Sequence, residues 1–204
     1  LRLAADKAGW VPHVQPQMRG ATGDWLHGQG FAYARYVHSR FPGFGAAWSA
    51  WVADVDVNKI TGEVNVRRVV VGQDSGLMVN PAGVVQQVHG NVLQTTSRAL
   101  KEQTRVDADS GSVATREWGS YPILSFREVP VIDVVLMPRP GEAPLGVGES
   151  ASVPGTAAIA NAIFDATGVR LRQPPFTPEV VRAAMGVRGL PAPPAPPASA
   201  APPA

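Results

Sequence analysis

Apolar positions alternate most clearly over residues 51–57, where Trp51, Ala53, Val55 and Val57 are interleaved with Val52, Asp54 and Asp56. A period of two marks a strand with one face toward a core. Asn58-Lys59-Ile60-Thr61-Gly62 follows as a turn in which Gly62 suits a positive φ, and the chain returns through Val64, Val66 and the run Val69-Val70-Val71. Three consecutive valines predict burial on both faces of that strand. Upstream, Leu1 to Lys7 reads as the end of a helix closed by Gly9. A loop from Met18 runs into a strand in which Tyr33, Arg35 and Val37 alternate with Ala34 and Tyr36.

The period changes at Asn80, which can cap a helix whose first residue is Pro81. That helix is expected over residues 81 to about 102, with Val84, Val88, Val92, Thr95, Ala99 and Leu100 on one stripe. Gly83 and Gly90 each weaken it by about 1 kcal/mol, which predicts that something packs close against its backbone there. Residues 104–116 suggest a second, polar hairpin turning at Asp109-Ser110-Gly111, and residues 118–126 read as irregular. Residues 130–137 form a strand pattern and residues 141–152 a glycine-bearing loop. A helix is expected over 154–167, with Ser152 or Val153 as cap, Pro154 at its first position, Ala160, Ile163, Phe164 and Thr167 on its buried face and Gly168 as its stop. A short helix from Pro178, capped by Thr177, ends near Met185. The fold class is α+β: a mixed sheet with β-hairpins and packed helices.

Composition narrows the function. Of 204 residues, 45% are hydrophobic and 17% charged, which supports a buried core rather than disorder. The core-forming portion is expected over residues 1–186. Residues 187–204 read as an extended Pro/Ala-rich tail, since 7 of the last 15 residues are Pro. A sequence pI of about 9.3 looks basic. Yet 18 Lys and Arg against 16 Asp and Glu leave an excess of only +2, with no basic stripe or stacking platform, so no nucleic-acid partner is expected. The absence of Cys excludes disulfides, iron–sulfur ligation and a thiol nucleophile within these residues. No run of 18 apolar residues occurs, so no membrane-spanning helix is expected. The start at Leu1, without Met or a signal-peptide pattern, reads as a processed, cut or split chain.

Candidate chemistry is sparse. His13, His27, His38 and His89 show no metal-ligand spacing, and Gly28-Gln29-Gly30 is too short for a dinucleotide fingerprint. The loop Leu145-Gly146-Val147-Gly148-Glu149-Ser150 stands out. Its glycines let the backbone approach a ligand, a carboxylate follows, and the next helix start favours an anion. By itself such a loop is ordinarily a turn with a solvated Glu.

The same loop, with Pro154-Gly155-Thr156 through Ala166-Thr167-Gly168 and Arg170-Leu171-Arg172 behind it, resembles the C-terminal part of molybdopterin-binding subunits of the molybdenum hydroxylase family (xanthine dehydrogenase, aldehyde oxidoreductase). It is most similar to the isoquinoline 1-oxidoreductase, nicotinate dehydrogenase and membrane-linked aldehyde dehydrogenase type. Val55-Asp56-Val57, Thr61-Gly62-Glu63-Val64, Asp74-Ser75-Gly76, Asn80-Pro81, Gln87-Val88-His89-Gly90, Tyr121-Pro122-Ile123-Leu124 and Glu128-Val129-Pro130 follow in family order. The resemblance extends over roughly residues 20–185.

That resemblance implies a part of a larger molybdenum-binding domain shared with another chain. It implies molybdenum with molybdopterin, in the cytosine dinucleotide form, contacted by Gln86, Gln87, Val147, Gly148 and Glu149. Glu149 would be the general base, taking a proton from a molybdenum-bound hydroxide as its oxygen attacks an aldehyde or a ring carbon beside nitrogen, with water as the oxygen source. A larger molybdopterin-binding chain would complete the site, and Val69-Val70-Val71 and the glycine-bearing helix would need partners from it. A [2Fe–2S] subunit and a cytochrome c subunit would take the electrons. The setting implied is bacterial, on the cytoplasmic or periplasmic side of the inner membrane. His89 departs from the family's usual Glu, and Asn91 and Thr95 from its usual small residues. Trp118 and Phe126 are candidates to stack on a substrate ring, although lone aromatics more often lie in a core. The alternative is a structural subunit without chemistry of its own.

Overall fold

The computed structural model describes residues 1–38 and 45–186; the Pro/Ala-rich stretch lies outside the described residues. Among the described residues five strands lie in the order β1(Arg19–Thr22), β2(Trp25–His38), β3(Gly45–Asn58), β4(Val64–Asp74) and β5(Val131–Leu136). β1 to β4 are antiparallel neighbours, and β5 runs parallel to β4. The α-helices among the described residues are α1(Arg2–Ala8), α2(Pro81–Leu100), α3(Gly155–Thr167) and α4(Pro178–Ala184). None of the described helices is long and apolar enough to cross a membrane.

The alternation in β3 sorts its side chains as expected. Trp51, Ala53, Val55 and Val57 are wholly buried on the face covered by α2 and α3, whereas Val52 joins Val70, Ala50 and Ala4 on the opposite face. The hairpin turn forms at Gly62, with φ 79°. Val69, Val70 and Val71 are buried on both faces as predicted, but this chain alone covers them. The expectation that they need a partner chain is therefore corrected.

Asn80 caps α2 by accepting from the Gly83 amide, and all six residues of the predicted stripe are buried. Within this chain nothing packs close against the α2 glycines apart from the Asn80 cap. Nothing lies within 4 Å of a Cβ at Gly90, and Gly83 meets only the Asn80 side chain. Close approach occurs instead between β2 and α3. A Cβ on Gly30 would sit 2.2 Å from both the Ala158 carbonyl oxygen and the Ala162 nitrogen, and one on Gly28 2.2 Å from the Ala162 carbonyl oxygen. Strand backbone thus seats directly on helix backbone. Gly30→Ala is expected to cost about 3 kcal/mol, at the upper end of ordinary overpacking, because the obstruction is main chain. Urea unfolding of the protein would measure it, and a loss within experimental error would contradict the packing.

Three further expectations change. α3 begins at Gly155 with Pro154 at the cap position and no side-chain cap, the entry being a single 3₁₀ turn at Ser150–Ser152. Its buried stripe is Ala158, Ile159, Ala162, Ile163 and Ala166. Phe164, half-buried, instead lies under the Arg170 guanidinium, 3.7 Å from its ring centre. The polar hairpin shrinks to one bridge, Val106 to Val113, around a turn in which Asp107 accepts from Ser110. Its alternating polar residues have no apolar face to bury, so no longer ladder forms.

Candidate functional site

The glycine-bearing loop joins β5 to α3 and is fastened to three elements by hydrogen bonds. The Leu145 amide donates to the Ser75 carbonyl just after β4, at 3.0 Å. Asn91 on α2 donates through Nδ2 to the Gly148 carbonyl at 2.8 Å and to the Gln87 carbonyl at 2.6 Å. Gln73 on β4, with 0% exposure, donates through Nε2 to Ser150 Oγ at 2.9 Å. Trp51 on β3 donates its indole N–H to the Ala151 carbonyl at 2.6 Å. Just past the site residue, Ser152 closes a turn by donating both its amide (3.0 Å) and its hydroxyl (2.7 Å) to the Glu149 carbonyl. Every one of these acceptors is backbone or hydroxyl. The position of the loop is therefore set without the Glu149 side chain.

Against this loop the start of α2 forms one wall of an open groove of about 440 Å³. Gln86, Gln87, Gly83 and Asn80 line it from α2 and its cap, Leu145 and Val147 from the loop, and Met78 from the segment between β4 and α2. No charged side chain lines it. Three of the expected site residues, Gln86, Gln87 and Val147, thus share one groove although 60 positions separate Gln87 from Val147. Gly148 adjoins it, with no atom within 4 Å of its Cβ position, so its backbone is open to close approach. Glu149 is exposed, and its carboxylate accepts no hydrogen bond among the described residues.

The helix start that opens on the groove is that of α2. At the start of α3, a Cβ on Gly155 would lie 2.7 Å from the Trp51 ring and 2.6 Å from the Thr95 methyl, so β3, α2 and α3 meet there without room for a side chain. Thr95 is thereby accounted for as packing. Trp118 and Phe126, 75% and 99% exposed, are not core residues. His13 bonds to Asp165 on α3 at 2.9 Å, and His27 to Asp56 across β2 and β3. No group of three or more His, Asp or Glu able to hold a metal occurs among the described residues.

Sequence reading missed Gln73, Ser150 and Trp51, and noticed Asn91 only as a departure. Their partners are main-chain atoms and a hydroxyl remote in sequence. The one local hint was Asn91, a side-chain amide on the buried face of α2.

Comparison with known proteins identifies the family. The family model for the molybdopterin cofactor-binding domain matches residues 8–130. A nicotinate dehydrogenase polypeptide of Pseudomonas putida is 61% identical over 189 residues, which is 93% of this chain and 16% of that protein. The membrane-bound aldehyde dehydrogenase of Gluconacetobacter polyoxogenes, whose name carries pyrroloquinoline quinone, is 36% identical over 70% of this chain and 18% of its own length. Among solved structures, quinoline 2-oxidoreductase of Pseudomonas putida 86 superposes with a TM-score of 0.65 at 28% identity, over 72% of this chain and 20% of that one. The chain therefore spans about a sixth of the length of the curated relatives it matches.

Proposed function

The chain belongs to the molybdopterin cofactor-binding domain family of the molybdenum hydroxylases, and from that premise we propose that it forms one wall of a hydroxylase active site with Glu149 as general base. The observation that carries this is the convergence of Gln86, Gln87 and Val147 on one groove, with the open backbone of Gly148 and then the exposed Glu149 following Val147 directly in the chain. The residues fit a pterin. Side-chain amides offer both donors and acceptors to its edge, and uncharged walls suit a flat heterocycle. Gln86 and Gln87 would hold the cofactor from α2, and the Val147-Gly148 backbone would pass close to it. When bound, molybdenum in molybdopterin supplies the oxygen nucleophile and accepts two electrons.

The work left to this chain is positional and acid–base. Glu149 takes the proton from the attacking oxygen, which a carboxylate without a competing protein partner is free to do. The groove orients the cofactor, and the loop ties keep Glu149 in one place. The substrate favoured is an N-heteroaromatic ring of the nicotinate kind, because identity to the nicotinate enzyme, 61%, far exceeds the 36% to the aldehyde dehydrogenase. A larger molybdopterin-binding polypeptide completes the site. With no Cys in these residues, electrons leave through [2Fe–2S] clusters on a partner subunit and a cytochrome c subunit beyond it. The cytosine dinucleotide form of the pterin belongs to the same reading.

Metal analysis and native mass measurement of the assembly from its own source, followed by turnover in ¹⁸O-water, test it. Molybdenum with iron in a complex heavier than this chain, and one ¹⁸O in the hydroxylated nicotinate, are the expected results. A pyrroloquinoline quinone without molybdenum, or oxygen drawn from O₂, would refute it.

A further inference from the structure

We infer that Asn91 is a positioning residue that fixes the base-bearing loop against the helix carrying the cofactor amides. The inference rests on Glu149 as the base and goes beyond it. Asn91 is 5% exposed on the buried stripe of α2. Its amide nitrogen spends both hydrogens on main-chain carbonyls, that of Gln87 at 2.6 Å and that of Gly148 at 2.8 Å. Both partners are pure acceptors, so the amide can sit only this way round; a flip would set oxygen against two oxygens. The bonds join the backbone of the residue proposed to touch the pterin to the backbone immediately before the proposed base. One side chain thus sets the spacing between cofactor and base across two elements far apart in sequence.

The cost of this arrangement argues for function. Among the described residues, Asn91 Oδ1 is buried without a hydrogen-bond partner, and so is Gln73 Oε1, on the residue that grips Ser150. A buried unpaired acceptor is unfavourable, and a leucine of similar size would fill the same space without it. Both acceptors belong to the residues whose side-chain N–H groups hold Gly148 and Ser150.

The test uses the whole assembled enzyme carrying Asn91→Leu, which keeps the volume and removes both donors. The expected result is a kcat lowered about 10–100-fold, the range for a lost outer-shell partner or a displacement near 1 Å. KM is expected to stay within about threefold, because ground-state binding is not the target. Amide hydrogen exchange over residues 146–149 is expected to quicken by about tenfold or more, as a local opening would make it. Molybdenum content should match the parent. In a Glu149→Gln background the same substitution should add no further loss.

A kcat within about twofold of the parent overturns the inference, as does unchanged exchange over residues 146–149. An undiminished effect in the Glu149→Gln background overturns it too, since Asn91 would then act elsewhere. Asn91→Ala serves if Asn91→Leu does not assemble; failure of both makes Asn91 a folding residue and ends the claim. If Glu149→Gln alone turns over normally, the base reading fails, and the exchange data still report separately on the clamp.

Discussion

Glu149→Gln is expected to lower turnover by about 10²–10⁴-fold, the usual contribution of a positioned general base. Glutamine matches glutamate in size and shape but cannot take a proton at neutral pH. The side chain is exposed and accepts no hydrogen bond among the described residues. The loop is held by main-chain, Ser150 and Ser152 contacts that the substitution leaves intact. Stability should therefore move by no more than about 0.5 kcal/mol, as for other surface changes. Molybdenum content and assembly should match the parent, with kcat falling far more than KM rises. Steady-state kinetics on a nicotinate-like ring, paired with metal analysis, measures both. Turnover that survives would instead support the alternative, a structural subunit that stabilises the complex without doing chemistry.

Trp51→Ala is expected to destabilise the protein by about 3–5 kcal/mol. Trp51 is wholly buried at the junction of β3, α2 and α3, and its ring lies where a Cβ on Gly155 would have to go. Truncation opens a large cavity and also strips the Ala151 carbonyl of the indole N–H that it accepts at 2.6 Å. For a chain of this size the melting temperature should fall on the order of 10 °C. Trp51→Phe separates the two effects: it keeps most of the apolar volume and loses the hydrogen bond, so about 1–3 kcal/mol should remain. Thermal unfolding of the two variants, with cofactor content measured alongside, decides this. A Trp51→Ala protein as stable as its parent would mean that the loop and core are not coupled through this ring.

The elements differ in how much of them was legible in advance. The β3–β4 hairpin and the α2 stripe came through because their periods, two and 3.6, bury one face each against whatever covers them. α3 was placed correctly but its buried face was offset. In an alanine-rich helix of residues 155–167 many positions are apolar, and the glycines of β2 choose which of them face the sheet. At the α2 glycines the sequence records only a missing Cβ, which reads the same whether a neighbour fills the space or nothing in this chain does.

By itself, the sequence determined most of the element order, the mixed α and β class, the absence of thiols from these residues and, as candidates through motif resemblance, the loop at Gly148-Glu149 and the amides at Gln86 and Gln87. Only the tertiary structure decided that those amides and Val147 line one groove, and that Asn91, Gln73 and Trp51 hold the loop there. The physical reason is that local pattern reports which face of an element is apolar. The hydrogen bonds that set the site join atoms more than fifty positions apart, many of them backbone carbonyls common to every residue type, and so leave almost no mark on the sequence.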